Sequence, residues 1–186
     1  GMILKDATAF NVQFFKGKPT WIDTSSFEIY EKGQPWVAYR QFCMHFLAPL
    51  ALMSYVDPSL GKMHSLYPNG IPLPLASKML PGKTKLKLNL NLHLHLHAKA
   101  DSWKRNQKTS PKTASFSEAA FQGLIQGLRS AIKGLTIKEE KSKWSHYYED
   151  DVSDSYRREK EDIISQWLKD IKSDYSWDLG ANEGVY

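Results

Sequence analysis

The leucine repeat between residues 84 and 100 is the feature that most restricts the fold. It reads TKLKLNLNLHLHLHAKA, and its six leucines alternate strictly with polar residues. A period of two is typical of a half-buried strand, because successive side chains point to opposite faces. The run is long for a strand, however, and leucine prefers helices. The periodicity favours a strand, and a largely buried helix with two apolar sides stays open as the alternative.

Three histidines occupy polar positions of this repeat, namely His93, His95 and His97. On a strand they would point to one face and could bind zinc with an open fourth position. On a helix they would fan out and could not share an ion. No cysteine or obvious carboxylate stands near them in the sequence. We therefore interpret them as ordinary polar positions and expect no metal site.

Composition indicates a globular protein. The chain has 186 residues, of which 41% are hydrophobic and 12% aromatic, enough to build a proper core. Its single cysteine, Cys43, allows no internal disulfide and fits a reducing compartment. No apolar run approaches the ~20 residues of a membrane span. We expect a cytoplasmic protein without a membrane partner.

The net charge of +5 is unevenly distributed. The middle of the chain is basic. A later stretch is acidic and contains Glu149, Asp150, Asp151 and Asp154. A basic patch can attract phosphates or nucleic acid. A solvated lysine-rich surface explains the pattern equally simply, and we expect no nucleic-acid partner.

The sequence also predicts where hairpins and helices lie. NVQFF and PTWID flank KGK, which predicts an N-terminal β-hairpin. Helical spacing begins near Trp36, and Pro49 is expected to kink or end that helix. A second helix follows residue 115 and stops near Gly134. The last helix runs from about Asp154 to Lys172, with its apolar residues predicted to face inward, Ile163, Ile164, Trp167, Leu168 and Ile171.

The C-terminal residues 176–186 read SWDLGANEGVY and contain the spacing D-x-G-x-x-x-G. Glycines in such a turn let the backbone pass close to a ligand. The segment resembles the turn that opens the cofactor site of class I S-adenosylmethionine-dependent methyltransferases. The resemblance implies a strand end over Tyr175–Trp177. It also implies cofactor-binding roles for residues of the turn, Asp178, Gly180, Asn182 and Gly184.

Long aromatic-rich strings extend the resemblance over nearly the whole chain. These strings are similar to a group of bacterial methyltransferases related to nodulation proteins. They read LKDATAFNVQF, IDTSSFEIY, PWVAYRQFCMHFLAPLAL and GIPLPLAS. The spacing of four later residues is also similar to that group, Trp144, Tyr148, Tyr156 and Lys160. The resemblance implies an accessory region over 1–110, a helical connector over 111–174, and over 175–186 the first strand and glycine turn of a methyltransferase domain. We expect the chain to stop inside its cofactor site. S-adenosylmethionine would then bind the longer protein and not this chain alone, and the methyl acceptor stays unknown.

A second, fainter resemblance concerns residues 6–23. Asp6, Asn11 and Asp23 have the spacing of a protein-kinase or aminoglycoside-phosphotransferase catalytic loop, where the first Asp orients the nucleophile and the others hold magnesium. IDT stands where D-F-G is usual, and no glycine-rich loop or ATP-holding lysine precedes it. The alternative is a hairpin in which these residues make turn and capping bonds. An inherited scaffold of the kinase C-lobe type is helical after its hairpin, and so favours a helix for the leucine repeat.

The sequence therefore predicts an α+β chain, mostly α-helical, with an N-terminal β-hairpin and the incomplete start of a Rossmann-like sheet at its C-terminus. Its function is predicted as the N-terminal part of a methyltransferase, inactive alone. The alternatives are a non-enzymatic interaction module, which could form a homo-oligomer through exposed edges, and the remnant of a kinase-like phosphotransferase.

Overall fold

The computed structural model describes residues 1–100, 116–138, 153–171 and 173–181. The chain divides into two compact units, Gly1–Lys138 and Glu139–Tyr186. The predicted division into segments 1–110, 111–174 and 175–186 stays a prediction.

Two small antiparallel sheets form the start of the first unit. Strand β1 (Met2–Leu4) pairs with β4 (Phe27–Ile29), and β2 (Val12–Phe15) pairs with β3 (Lys18–Trp21). Lys16 and Gly17 both have positive φ at the tip of the β2–β3 hairpin, as a tight two-residue turn requires. The predicted hairpin is confirmed. Short 3₁₀ turns at Ala9–Asn11 and Thr24–Ser26 connect it to the outer pair.

The first long helical stretch runs through Pro49 without ending there. It consists of α1 (Tyr39–Phe42), a π-helical turn at Cys43–Leu47 and α2 (Ala48–Tyr55). A proline inside a helix lacks an N–H and clashes with the carbonyl four residues earlier, and a π-turn is a common way to relieve this conflict. Pro49 is the second residue of α2, which follows the π-helical turn directly, so its missing N–H lies where the hydrogen-bond register changes from π to α. The helix begins at Tyr39, three residues after the predicted start.

Short helices fill the middle of the first unit. Helix α3 spans Met63–Leu66 and α4 spans Leu73–Met79, with 3₁₀ turns at Pro58–Lys62 and Gly82–Leu86 before α3 and after α4. Gly70 precedes α4 with positive φ, and a Cβ placed there would lie 2.7 Å from Cβ of Met44. This glycine is required both by its backbone conformation and by the close approach of the π-helical turn.

The leucine repeat is helical, so the strand favoured by its periodicity is wrong. It forms α5 (Leu88–Leu90) and a second π-helical turn at Asn91–Leu96, and it stays helical over 97–100. Leu90 and Leu94, four residues apart, are buried, whereas the other four leucines of the repeat are exposed, Leu86, Leu88, Leu92 and Leu96. The histidines occupy the core face instead, since His93 and His95 are buried.

Two longer helices complete the described elements. Helix α6 (Glu118–Lys133) begins at Ser117, whose side chain accepts from the Ala120 N–H, and it ends at Gly134 as predicted. Helix α7 (Asp154–Ile171) lies in the second unit and has the predicted extent to within one residue. Its apolar residues were predicted to face inward, yet none of its described residues is buried.

The core of the first unit joins α1, α2, α4, α5 and α6 with the first π-helical turn. Its fully buried side chains include Cys43, Leu47, Leu52, Ile71, Leu73 and Leu94. The architecture is mostly helical with small N-terminal antiparallel sheets, which confirms the predicted fold class. Among the described helices, none combines the length and the apolar character needed to cross a membrane.

Candidate functional site

The C-terminal turn lies in the second unit and carries two of the four predicted cofactor-binding residues within the described part. Leu179 and Gly180 form a turn, and Gly180 has φ +85°, a left-handed conformation that favours glycine. Apart from its two chain neighbours, no described residue has an atom within 4 Å of a Cβ placed on Gly180. Asn182 and Gly184 fall outside the described residues.

The predicted strand end over Tyr175–Trp177 does not form. Residues 175–178 have no regular structure, and Tyr175 and Trp177 are exposed. A parallel strand is held by neighbours on its edges and by helices on its faces, and the described residues provide none of these partners here. The start of a Rossmann-like sheet is therefore not visible in this part of the chain.

A cavity of about 390 Å³ lies between this turn and α7. Residues 176–181 line one side of it, and the other side is formed by α7 residues, Lys160, Ile164 and Leu168. Its size lies within the roughly 300–1,000 Å³ typical of small-molecule sites. The wall combines an aromatic ring, an aliphatic helix face, a lysine and the carboxylate of Asp178, so it offers both apolar and charged contacts to a ligand.

Asn11 and Asp23 of the kinase-like set lie together beside the hairpin. Asn11 Nδ2 lies 3.4 Å from Asp23 Oδ2 and donates a shorter bond of 2.8 Å to Ser26 Oγ. Ser26 Oγ in turn donates to Asp23 Oδ2 at 2.7 Å. Asp6 joins the same group only through its backbone, because the N–H groups of Lys5 and Asp6 both donate to the Ser26 carbonyl.

Both carboxylate oxygens of Asp23 are occupied by the turn that follows it. Oδ1 accepts from the Ser25 N–H at 2.9 Å and from Ser25 Oγ at 2.7 Å. The pKa of Asp23 is lowered mainly by the hydrogen bond from the Ser26 hydroxyl and next by that from the Ser25 hydroxyl. The geometry is that of a residue capping the Thr24–Ser26 turn.

Asp6 has a separate environment facing α1. Its Oδ1 accepts from the Thr8 N–H at 3.1 Å and from Gln41 Nε2 at 2.7 Å, while Gln41 Oε1 accepts from the Ala7 N–H at 2.7 Å. The amide of Gln41 thus fixes the chain between β1 and the Ala9–Asn11 turn. The adjacent His45 accepts from the Ala9 N–H, and burial is the main cause that lowers the pKa of His45.

His93 lies at the contact between the leucine repeat and α6. Its Nδ1 lies 2.7 Å from Tyr39 Oη, and its buried Nε2 has no hydrogen-bond partner among the described residues. A Cβ on Gly127 would come within 2.6 Å of that Nε2. Burial, helped by the nearby His97, lowers the pKa of His93 to about 4, so the ring is neutral at pH 7. Burial also raises the pKa of Tyr39, which favours the phenol as the donor to Nδ1.

His95 is held between two hydroxyl groups. Thr84 Oγ1 donates to the Pro81 carbonyl at 2.7 Å, so it must accept from His95 Nε2, which lies 2.8 Å away. Neutral His95 therefore carries its proton on Nε2 and accepts from Ser77 Oγ at Nδ1, over 2.7 Å. Burial and two lysines, Lys85 and Lys99, lower the pKa of His95.

The histidines thus connect three helical segments, a role that the sequence pattern did not reveal. Tyr39 and Ser77 lie outside the repeat and Thr84 is its first residue, 11 positions before His95, and nothing local marks them as partners. Within the described ranges, no three metal-ligating side chains are gathered into a possible ion site.

Comparison with known proteins relates the chain to a nodulation protein. The chain is 31% identical over 192 aligned residues to nodulation protein NoeA from Rhizobium meliloti (strain 1021). The alignment covers the whole of this chain and 40% of that relative, so the chain spans well under half of the relative's length. No protein-family model matches the chain, and no solved structure matches it.

Proposed function

We propose that this chain is the accessory region and first cofactor turn of an S-adenosylmethionine-dependent methyltransferase. The observation that carries the proposal is the left-handed Gly180 of the D-x-G-x-x-x-G turn, beside a cavity of about 390 Å³. A glycine of this kind leaves room for a ligand to approach the backbone closely. The relationship to a nodulation protein agrees with the group of methyltransferases that the chain resembles.

In the longer protein, Asp178, Gly180, Asn182 and Gly184 would contact the cofactor. Gly180 and Gly184 would let the backbone turn along the methionine part. Such an enzyme passes the methyl group from the sulfonium to a nucleophilic O, N or C atom, and catalysis is mainly the alignment of acceptor and methyl. The chain alone presents one side of such a site, so we propose that it is inactive by itself and binds S-adenosylmethionine at best at millimolar concentration.

Calorimetric titration tests this proposal with two proteins. The first is this chain, for which we expect no measurable heat of S-adenosylmethionine binding. The second is a chimera in which the chain replaces the matching 40% of nodulation protein NoeA. We expect micromolar binding by the chimera and by NoeA itself, lost on Gly180→Val. Gly33→Val is the matched control, because Gly33 also has positive φ and no neighbour within 4 Å of its Cβ position in the part of the chain that the structure describes.

Two results would contradict the proposal. Micromolar binding by the chain alone would show that the site is complete within it. Binding by the chimera that survives Gly180→Val would show that the turn does not contact the cofactor.

A non-enzymatic interaction module is the second candidate, and the exposed face of α7 favours it. Several apolar side chains of that helix and the following segment are exposed, Ile163, Trp167, Leu168, Ile171, Tyr175, Trp177 and Leu179. Exposed apolar patches of this kind mark interaction surfaces. Two measurements distinguish the candidates, namely sedimentation of the chain and the titration of NoeA with cofactor. The second function would be favoured if the chain associates, if Trp167→Gln abolishes that association, and if NoeA binds no cofactor.

A phosphotransferase remnant has less support, because the Asp23 carboxylate is already occupied by Ser25 and Ser26. We expect no magnesium-dependent ATP turnover. Turnover that disappears on Asp23→Ala would reverse this ranking.

A further inference from the structure

We propose that the first unit binds a medium-chain aliphatic carboxylate in an apolar cavity between Trp36 and α6. This cavity has a volume of about 360 Å³. Its lining contains five apolar residues and two cations, Trp36, Phe42, Ile125, Leu128, Ile132, Arg129 and Lys133. All of them belong to the unit Gly1–Lys138 and the cofactor turn belongs to the other, so the inference is independent of the proposed function.

The aromatic side of the cavity is held in place by packing and a hydrogen bond. Trp36 is only 9% exposed, and its Nε1 donates to the Leu4 carbonyl at 2.7 Å. The rings of Trp36 and Phe42 lie 5.4 Å apart, and Phe42 stacks on Phe46. A site whose walls are fixed before binding loses little entropy when a ligand enters.

The helical side is one continuous stripe of α6. Residues 125, 128, 129, 132 and 133 recur at intervals of three and four, which places them on one face of the helix. From Ile125 to Ile132 the stripe extends for about 10 Å along the axis. Leu128 is buried, whereas Ile125 is 36% exposed. A long, narrow apolar surface of this kind suits an extended hydrocarbon chain.

The charges define the head group of the ligand. Arg129 and Lys133 are exposed and lie one turn apart, and neither makes an ion pair or a side-chain hydrogen bond with the described residues. The only acid of α6 is Glu118 at its other end, which pairs with Lys32 at 3.7 Å. Two cations that have no ionic partner among the described residues, beside an apolar stripe, are complementary to a chain that ends in an anion.

Calorimetric titration with decanoate and decyltrimethylammonium, both below their micellar concentrations, tests the inference. These probes share a chain length and differ in the sign of the head group. We expect decanoate to bind with one-to-one stoichiometry and the cationic probe to bind roughly tenfold or more weakly. Octanoate should bind more weakly than decanoate, by up to about fourfold for each CH₂ removed from the cavity.

Two variants connect this binding to the cavity. Ile125→Trp fills the apolar stripe at a partly exposed position and should abolish decanoate binding. Arg129→Gln combined with Lys133→Gln should remove the preference for decanoate over the cationic probe. Lys62→Gln combined with Lys78→Gln, which removes two exposed cations elsewhere in the unit, is the matched control and should leave the preference unchanged.

Equal binding of the two probes by the unaltered chain would overturn the inference, as would absence of decanoate binding. Decanoate binding unchanged by Ile125→Trp would also overturn it, since the ligand would then lie elsewhere. If Ile125→Trp fails to fold by circular dichroism, the double Gln variant decides, because both of its side chains are exposed.

Discussion

Helices α6 and α7 share an amphipathic sequence pattern, but the apolar face of α6 is packed against a core and that of α7 is exposed. Both are amphipathic and of comparable length, with 16 and 18 residues. Helix α6 buries Leu128 and Ala131, and Phe121, Leu124 and Ile132 pack against the core of its unit. Helix α7 buries none of its described residues. Amphipathic spacing therefore determines that a helix forms and which face is apolar, but it does not determine whether that face has a partner.

The partner of α6 is specific. At Gly127 the helix approaches the leucine repeat so closely that a Cβ would meet His93. Near its start, Phe121 stacks on Tyr30 with ring centroids 4.7 Å apart. Helix α7 shares its cavity with the exposed Trp177 and Leu179 and has no comparable close approach among the described residues.

Leu128→Ala should have the largest effect of the substitutions that test this comparison. Leu128 is 3% exposed within the core, and removing its side chain loses transfer free energy and leaves a cavity. We expect the free energy of unfolding to fall by about 3 to 4 kcal/mol. Urea denaturation followed by circular dichroism measures the change. A loss below about 1 kcal/mol would mean that α6 is not part of the core.

Acid should destabilise the first unit by nearly as much. The pKa of His93 is lowered from 6.5 to about 4, and those of His45 and His95 are lowered too. Above pH 6.5 these rings are neutral in both states and the unit has its full stability. As the pH falls below 6.5 the unfolded chain binds protons first, so stability declines until the folded pKa near 4 is reached. His93 alone accounts for up to about 3 kcal/mol.

Denaturation at intervals between pH 7 and pH 4 measures this decline, and His93→Gln identifies its source. Glutamine can still accept from Tyr39 but does not titrate, so the slope between pH 6.5 and 4 should become shallower. An unchanged slope in this variant would mean that His93 does not titrate as its burial requires.

The hairpin, the two long helices and the leucine repeat show what the sequence could and could not predict about the fold. Local patterns predicted the hairpin, α6 with its Gly134 end, and α7, because period and capping are local properties. They failed for the leucine repeat, where six leucines imitate a strand. What decides its conformation lies outside the alternating pattern: Tyr39 and Ser77, with Thr84 at the start of the repeat, offer hydrogen bonds that make His93 and His95 favourable in the core. An alternating pattern contains no information about such partners.

The candidate site was predictable to a similar degree. The kinase-like spacing predicted that Asp6, Asn11 and Asp23 lie together, and the structure brings Asn11 to Asp23 while Asp6 joins them through its backbone N–H. The D-x-G-x-x-x-G spacing predicted a glycine turn, of which the described part shows Leu179 and Gly180 in a turn, and the cofactor-binding roles stay predictions. The cavities beside Trp36 and Gly180 were not predicted, because a cavity depends on which side chains meet across elements.

Gly127→Ala and Gly123→Ala form a matched pair of intermediate effect on one helix. A Cβ at Gly127 would lie 2.6 Å from His93 Nε2, and that ring is only 1% exposed and bonded to Tyr39, so it has little room to move. We expect a loss of about 2 kcal/mol. In the described ranges nothing lies within 4 Å of a Cβ at Gly123, so alanine there should stabilise by up to about 1 kcal/mol. Urea midpoints that shift in the same direction for both variants would contradict the close contact.

Leu168→Ala in α7 should have the smallest effect and completes the comparison with Leu128→Ala. Leu168 is 48% exposed, so its truncation removes little buried apolar area and leaves no enclosed cavity. Leucine and alanine also differ little in helix propensity. We therefore expect the free energy of unfolding to change by no more than about 0.5 kcal/mol, the usual range for an exposed position. The same urea denaturation applies, with helix content as the signal. A loss equal to that of Leu128→Ala would mean that the face of α7 is covered in solution. A concentration-dependent midpoint would then identify a second copy of the chain as the cover, because association stabilises the folded state by mass action.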